Sequence, residues 1–209
     1  MIKGDVATFV VSVLSRKGGV GKTASAIHIA AHLGYLGRRT LLIDGDEDEY
    51  ATGWVRSEVP FDVMTTEDGI AAMDGYDAVV IDAQGGLPAE DVQALGEISN
   101  VVLVPCVPEW QSVSGMTRTA AMLVEAGVPL SRMQVLLTMD MRAGDAADEA
   151  RATLEAQGLS VLTPTIRNTV AFRHAALAGV LVQRVPGVAG KMAWEEYRAA
   201  TRELLEVSA

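Results

Sequence analysis

The residues best suited to chemistry come early: Gly18-Gly19-Val20-Gly21-Lys22-Thr23, directly after an apolar run (9–14) and at the start of a segment with helical periodicity (22–36). Counted from Ser15 or Arg16, this stretch fills the slot of a Walker-type phosphate loop in its usual strand–loop–helix setting. Gly18, Gly19 and Gly21 let successive backbone N–H groups converge on phosphate oxygens, and the helix that follows adds the positive end of its dipole. Lys22 is expected to bridge β- and γ-phosphates and the Thr23 hydroxyl to ligate Mg²⁺, with Val20 and Ala24 completing the nucleotide-binding stretch. A glycine-rich turn before a helix is common; the ordered Lys-Thr after the last glycine sets this one apart.

Three carboxylates are candidates to complete such a site. Asp82 closes the apolar run 78–81, where the carboxyl edge of a strand faces a nucleotide, so it is placed to hold a Mg²⁺-bound water. Packing offers no reason for a carboxylate there. Asp44 and Asp46 flank Gly45, and in an extended chain both side chains face the same way. His28 and His32 lie four residues apart, a spacing that can set two imidazoles on one metal, but no third ligand is in view and helix packing explains them more simply. Cys106 follows a buried run and reads as a small hydrophobe, with nothing nearby to activate its thiol.

These side chains need a sheet to hold them. Runs rich in Val, Ile and Leu recur at 9–14, 40–43, 78–81, 101–104 and 135–138, with a weaker one at 160–162. Helical periodicity fills 22–36, 89–96, 112–126, 143–157, 170–178 and 192–207. The alternation predicts an α/β fold, a single domain over residues 1–209 with a doubly wound, mostly parallel sheet and helices on both faces. Gly34, Gly127 and Gly158 each follow a periodic run at the position of a helix-ending glycine. With 209 residues, 49% of them hydrophobic, the chain can fill one large core. Its net charge of −10 excludes a protein whose whole surface coats nucleic acid or anionic membrane, so any such contact is local. The single cysteine excludes an intramolecular disulfide or a cysteine-only metal site and fits a reducing compartment. Every long apolar stretch is interrupted by charge or glycine, so the chain is expected to be soluble and cytoplasmic. The last segment carries more Glu than Arg beside Trp194, Tyr197, Leu204 and Leu205, which favours docking on its own domain over a membrane surface.

Arg16-Lys17-Gly18-Gly19-Val20-Gly21-Lys22-Thr23 resembles the deviant Walker motif of the ParA/MinD superfamily of P-loop ATPases, which carries a second, early lysine, here Lys17. Leu41-Leu42-Ile43-Asp44-Gly45-Asp46 resembles that family's second-strand Asp-x-Asp, and the stretch 76–82 its Walker B strand. Val102-Leu103-Val104-Pro105 resembles the strand and proline that follow, and 166–175 with Gly179 its late helix-initiating stretch. The resemblance covers nearly the whole chain in the right order and is strongest to short plasmid-partition ParA proteins of the ParF-like type. It implies ATP and Mg²⁺ as cofactors and a homodimer formed with ATP, in which Lys17 reaches the partner's nucleotide in the manner of an arginine finger. It also implies that Asp46 positions or polarises the attacking water, that Asp44 supports the metal shell, and that Thr138, Met139 and Met141 lie where the family places base contacts. Methionine at a strand end is as readily core. Three departures stand out: Glu47-Asp48-Glu49 makes the first switch acidic, Ala83-Gln84-Gly85-Gly86 lacks a double proline, and Ala24 replaces a frequent second threonine.

Function follows in the same terms. The resemblance implies an ATPase for plasmid or chromosome partition that binds non-specific DNA in its ATP state, associates with the nucleoid and is stimulated by a ParB-like centromere-binding partner. Arg167, Arg173, Arg184, Lys191, Arg198 and Arg202 against Glu195 and Glu196 make 165–202 positive within an acidic chain. Such arginines are either solvated and locally paired or form a basic face for DNA, with Arg167, Arg173, Arg198 and Arg202 as the contacts. An ATPase of the same mechanism that positions a protein cargo is the alternative. A metabolic P-loop enzyme would need further substrate pockets or domains, a membrane-cycling protein a basic last helix, and a nitrogenase-reductase-like protein more than one cysteine.

Overall fold

Five strands are buried on both faces, which is why they stand out in the sequence as predominantly apolar runs: β1 (Phe9–Val13), β2 (Thr40–Asp44), β4 (Ala78–Asp82), β5 (Val101–Cys106) and β6 (Met133–Leu137). Two more, β3 (Asp62–Thr65) and β7 (Ser160–Val161), close the edges and are only partly covered. The computed structural model describes residues 8–46 and 49–208; Glu47 and Asp48 of the acidic first switch lie outside them. Its seven strands run in the order β3-β2-β4-β1-β5-β6-β7, all pairs parallel.

Period-two alternation divides the core. Phe9, Val11, Val13, Leu42 and Val80 face α1 (Lys22–Tyr35), α2 (Tyr50–Trp54) and α8 (Val188–Val207), with α7 (Ala171–Ala178) packed beside them. Val10, Leu41, Ile43, Val79 and Ile81 face the opposite side, which α3 (Thr66–Ala72), α4 (Ala89–Ile98), α5 (Trp110–Glu125) and α6 (Ala146–Ala156) cover. The last helix is docked on the domain, with Ala193, Tyr197, Ala200 and Leu204 buried. No helix among the described residues is long and apolar enough to cross a membrane.

The structure departs from the sequence reading at two places. Gly34 lies inside α1, and a Cβ there would collide with the Pro60 carbonyl; the glycine that ends the helix is Gly37, at φ +82°. Gly127 and Gly158, at φ +83° and +78°, do end their helices as expected. The segment 50–75, which shows no clear periodicity, folds as α2, β3, α3 and a short 3₁₀ turn. Its edge strand buries too little for an apolar run, and its first helix has five residues.

Candidate functional site

The carboxyl ends of β1, β2 and β4 meet where the order of the sheet reverses direction, the place where open α/β sheets bind ligands. The loop from Ser15 to Gly21 leaves β1 there. Gly19 and Gly21 adopt φ +74° and +86°, and Gly21 is the residue on which α1 begins. A side chain at either would be strained, and the two turn the backbone into a cradle. From β6, the Thr138 hydroxyl donates to the Val20 carbonyl (2.8 Å, buried) and so fixes the far wall of the loop. Gly85, in the stretch 83–86 that follows β4, lies beside Lys22: a Cβ on it would stand 3.9 Å from the Lys22 Nζ.

Asp44 and Asp82 are register partners on adjacent parallel strands, so their side chains leave the sheet on the same side. The Asp44 carboxylate accepts the Asp46 N–H (3.3 Å) and the Thr52 N–H (2.8 Å), tying the turn after β2 to α2. Gly45 passes so near β4 that a Cβ would stand 2.8 Å from the Asp82 carbonyl, while its own N–H donates to that oxygen (2.9 Å). Asp82 differs from its neighbour: it is 1% exposed, and neither carboxylate oxygen has a hydrogen-bond partner among the described residues. Burial pushes its pKa up to about 6; the Thr23 hydroxyl and the Lys22 ammonium nearby pull it down, and Asp44 and Asp46 push it further up.

Lys17 does not point into its own loop. Its ammonium donates to the Ser112 hydroxyl (2.9 Å) and lies 3.8 Å from Glu109, both at the start of α5. Ser112 is 95 residues away in the chain, and nothing in the sequence pairs the two. Cys106 is buried, and burial raises its thiol pKa to about 11, so it stays protonated and inert as expected.

A cavity of about 230 Å³ opens beside the first turn of α1, walled by Thr138, Met139, Asn168, Phe172 and Arg173. Met139 lines it, whereas Met141 is 71% exposed and does not. The turn after β6 holds Met139 and Arg142 at φ +55°, a conformation that non-glycine residues keep only when their surroundings impose it. Asp140 accepts the Arg142 N–H (2.9 Å), and Glu196, reaching in from α8, accepts from the guanidinium groups of Arg142 and Arg167 at 2.6 Å each. Arg167 is thereby neutralised within the chain, and Arg198 pairs with Glu195 one turn away. Arg173 and Arg202 are exposed and make no ion pair among the described residues.

The two histidines are buried against aromatic rings. His28 is stacked on Tyr197 (5.1 Å between centroids) with Trp54 and Phe172 edge-on; its Nε2 accepts the Val182 N–H (3.1 Å), which puts the ring proton on Nδ1, donating to the Ala24 carbonyl (2.6 Å). His32 lies 3.6 Å from the Trp194 ring. Desolvation lowers the two pKa values to about 4 and about 3, in each case against a smaller upward pull from a backbone hydrogen bond. A histidine neutral in the folded state and protonated in the unfolded state loses its contribution as pH falls from the unfolded value of 6.5 towards the folded one. Burial of His28 therefore costs on the order of 3 kcal/mol of stability between pH 6.5 and 4. Asp82 acts in the opposite sense over part of that window, because its raised pKa favours the folded state as pH falls through 6. Urea unfolding midpoints are expected to drop from pH 7 to 4.5, and the drop to shrink in His28→Leu. An unchanged pH slope in that variant would contradict the assignment.

Comparison with known proteins supports the same assignment. The CobQ/CobB/MinD/ParA nucleotide-binding domain model matches residues 11–182. A maintenance of carboxysome distribution protein A from Gloeobacter kilaueensis is 30% identical over 204 residues, 93% of each chain. The chromosome-partitioning ATPase Soj of Thermus thermophilus is 29% identical over 239 residues, 93% of this chain and 94% of Soj. Among solved structures, apo McdA of Cyanothece superposes with a TM-score of 0.75 at 17% identity, over 95% of this chain and all of that one. A phosphate-loop cradle at the switch point of an all-parallel sheet, with this family match across most of the chain, makes the protein an ATPase of the ParA/MinD type within the CobQ/CobB/MinD/ParA nucleotide-binding family.

Proposed function

We propose that this ATPase alternates between a monomer and an ATP-bound, face-to-face homodimer, and uses the cycle to position a cargo on non-specific DNA. The observation that carries the reading is Asp82: a buried carboxylate with no hydrogen-bond partner among the described residues, facing a hydroxyl and an ammonium at the mouth of a phosphate loop, has the chemistry to serve a divalent cation. The residues present fit Mg²⁺ with ATP. Thr23 would ligate the ion directly, Asp82 would hold a water of its shell, and Asp44 would support that shell from behind through the Asp46 turn. When bound, Mg²⁺ neutralises charge on the β- and γ-phosphates.

The protein's own groups do the rest. The N–H groups of the loop 18–21 and the Lys22 ammonium hold the phosphates, and Asp46 orients the attacking water. Lys17 leaves Ser112 and Glu109 to reach the partner's phosphates, which couples dimerisation to the presence of ATP.

Two cargos have support. Soj is named for chromosome partition, which favours a DNA locus carried by a ParB-like centromere-binding partner. The Gloeobacter relative is named for carboxysome distribution, which favours a protein assembly. Both readings need ATP-dependent DNA binding. The exposed cations of α7 and α8, Arg173, Lys191 and Arg202, are the contacts; Arg198 joins them because an exposed ion pair such as its bond to Glu195 contributes little and is readily exchanged for a phosphate. Duplex binding measured with ADP and with a slowly hydrolysed ATP analogue is expected only in the second case, and to weaken steeply with salt. Arg173→Glu should weaken it on every sequence alike, and Lys17→Ala should abolish it by preventing the dimer. A protein that binds no duplex at low salt in any nucleotide state would overturn the proposal. If DNA binding holds, co-purification with a centromere-binding partner or with a protein assembly separates the cargos.

A further inference from the structure

One exposed arginine has no part in the nucleotide site, yet its bonds lead to it. Arg56, just past α2, spends its guanidinium on main-chain carbonyls: Gly53 in its own segment, and Ala176 (3.2 Å) and Leu177 (2.6 Å) at the carboxyl end of α7. Its N–H donates to the Gly179 carbonyl (3.2 Å), and the Trp54 indole N–H to Val180 (3.0 Å). Gly179 stands at φ +72°, and a Cβ there would come within 2.8 Å of the Arg56 Cβ, so the helix end is shaped to receive this side chain.

α2 has five residues and buries only Ala51, too little to hold its position by packing alone. It is the element that donates the Thr52 N–H to Asp44, the same carboxylate that accepts the Asp46 N–H. A continuous run of hydrogen bonds thus joins the end of α7 to the turn that carries Asp46, while the start of α7 offers Phe172 and Arg173 to the cavity beside the phosphate loop.

We infer that Arg56 is a positioning residue for ATP hydrolysis: by strapping α2 to the carboxyl end of α7 it holds the Asp46 turn where the attacking water must be oriented. This rests on the reading of Asp46 given above. Arg56 touches neither phosphate nor metal in this account, so its loss should affect turnover and spare affinity.

The test compares Arg56→Met, Arg56→Lys, Gly179→Ala and Asp46→Ala in steady-state ATPase assays and in titrations with a fluorescent ATP analogue. Arg56→Met is expected to lower kcat about ten-fold with KM for ATP and analogue affinity within about two-fold, because misplacing a water-orienting group costs rate and not binding. Arg56→Lys should recover only part of the loss, since one ammonium cannot span carbonyls on two segments. Gly179→Ala attacks the strap from its other side and should reproduce the phenotype, and the double variant Arg56→Met/Gly179→Ala should be no worse than the more affected single one. An unchanged kcat in Arg56→Met beside a lowered kcat in Asp46→Ala would overturn the strap and leave Asp46 its role. Loss of analogue affinity in Arg56→Lys would make Arg56 a general structural residue and also overturn it. An unchanged kcat in Asp46→Ala would overturn the role of Asp46 and the strap together.

Discussion

Lys22→Ala is expected to lower ATP turnover by about 10²- to 10³-fold, the range typical of removing one preorganised charge-stabilising group. The backbone N–H groups of the loop supply partial positive charge, and in the proposed mechanism Lys22 is the group that brings a full cation to the β- and γ-phosphates within the same chain. Lys17 does not take its place, because its ammonium is turned away from its own loop towards Ser112 and Glu109 at the start of α5, and in the proposed dimer it serves the partner's nucleotide. Glycines 19 and 21, which shape the cradle at positive φ, are untouched by the substitution, so the fold should survive and thermal unfolding of the nucleotide-free protein should change little. Normal turnover by a folded Lys22→Ala protein would remove the phosphate loop from the mechanism.

Asp82→Asn should move stability and activity in opposite directions. In the nucleotide-free protein the carboxylate is buried without a hydrogen-bond partner and faces two further carboxylates, and its pKa of about 6 means that folding penalises the charged form. A neutral isostere relieves that penalty and should stabilise the protein by on the order of 2 kcal/mol at pH 7.5, with the gain shrinking as pH falls through 6 and the native carboxyl protonates. In the proposed mechanism the lost negative charge is also the partner of the metal-bound water, so Mg²⁺-dependent turnover should fall about 10²-fold or more. Calorimetry and ATPase assays on the same preparation check both arms. A variant that loses stability, or keeps its activity, would show that Asp82 is not held in readiness for a cation.

The local sequence carries whatever is encoded in short stretches. The phosphate loop is legible because strand, glycines, Lys-Thr and helix follow one another without a break, and the five central strands are legible because burial on both faces leaves them predominantly apolar. Asp82 is legible for the converse reason, as a charge at the end of an apolar run. The segment 50–75 is not, since its edge strand and short helices gain their order from β2 and from the end of α7 and not from any pattern of their own.

What the sequence alone determined is therefore the α/β class and the nucleotide loop, with Asp44, Asp46 and Asp82 at the strand ends beside it. Only the tertiary structure decided how these groups are held and which charges are free to act. It set Lys17 on Ser112 and Glu109, closed Thr138 over Val20, gave Glu196 to Arg142 and Arg167, and left Arg173 and Arg202 exposed. Formal charge along the chain makes all six C-terminal cations look alike. The difference lies in distance, because an ion pair forms between groups that the fold brings within about 4 Å, and the separation of Arg167 and Glu196 along the sequence says nothing about it.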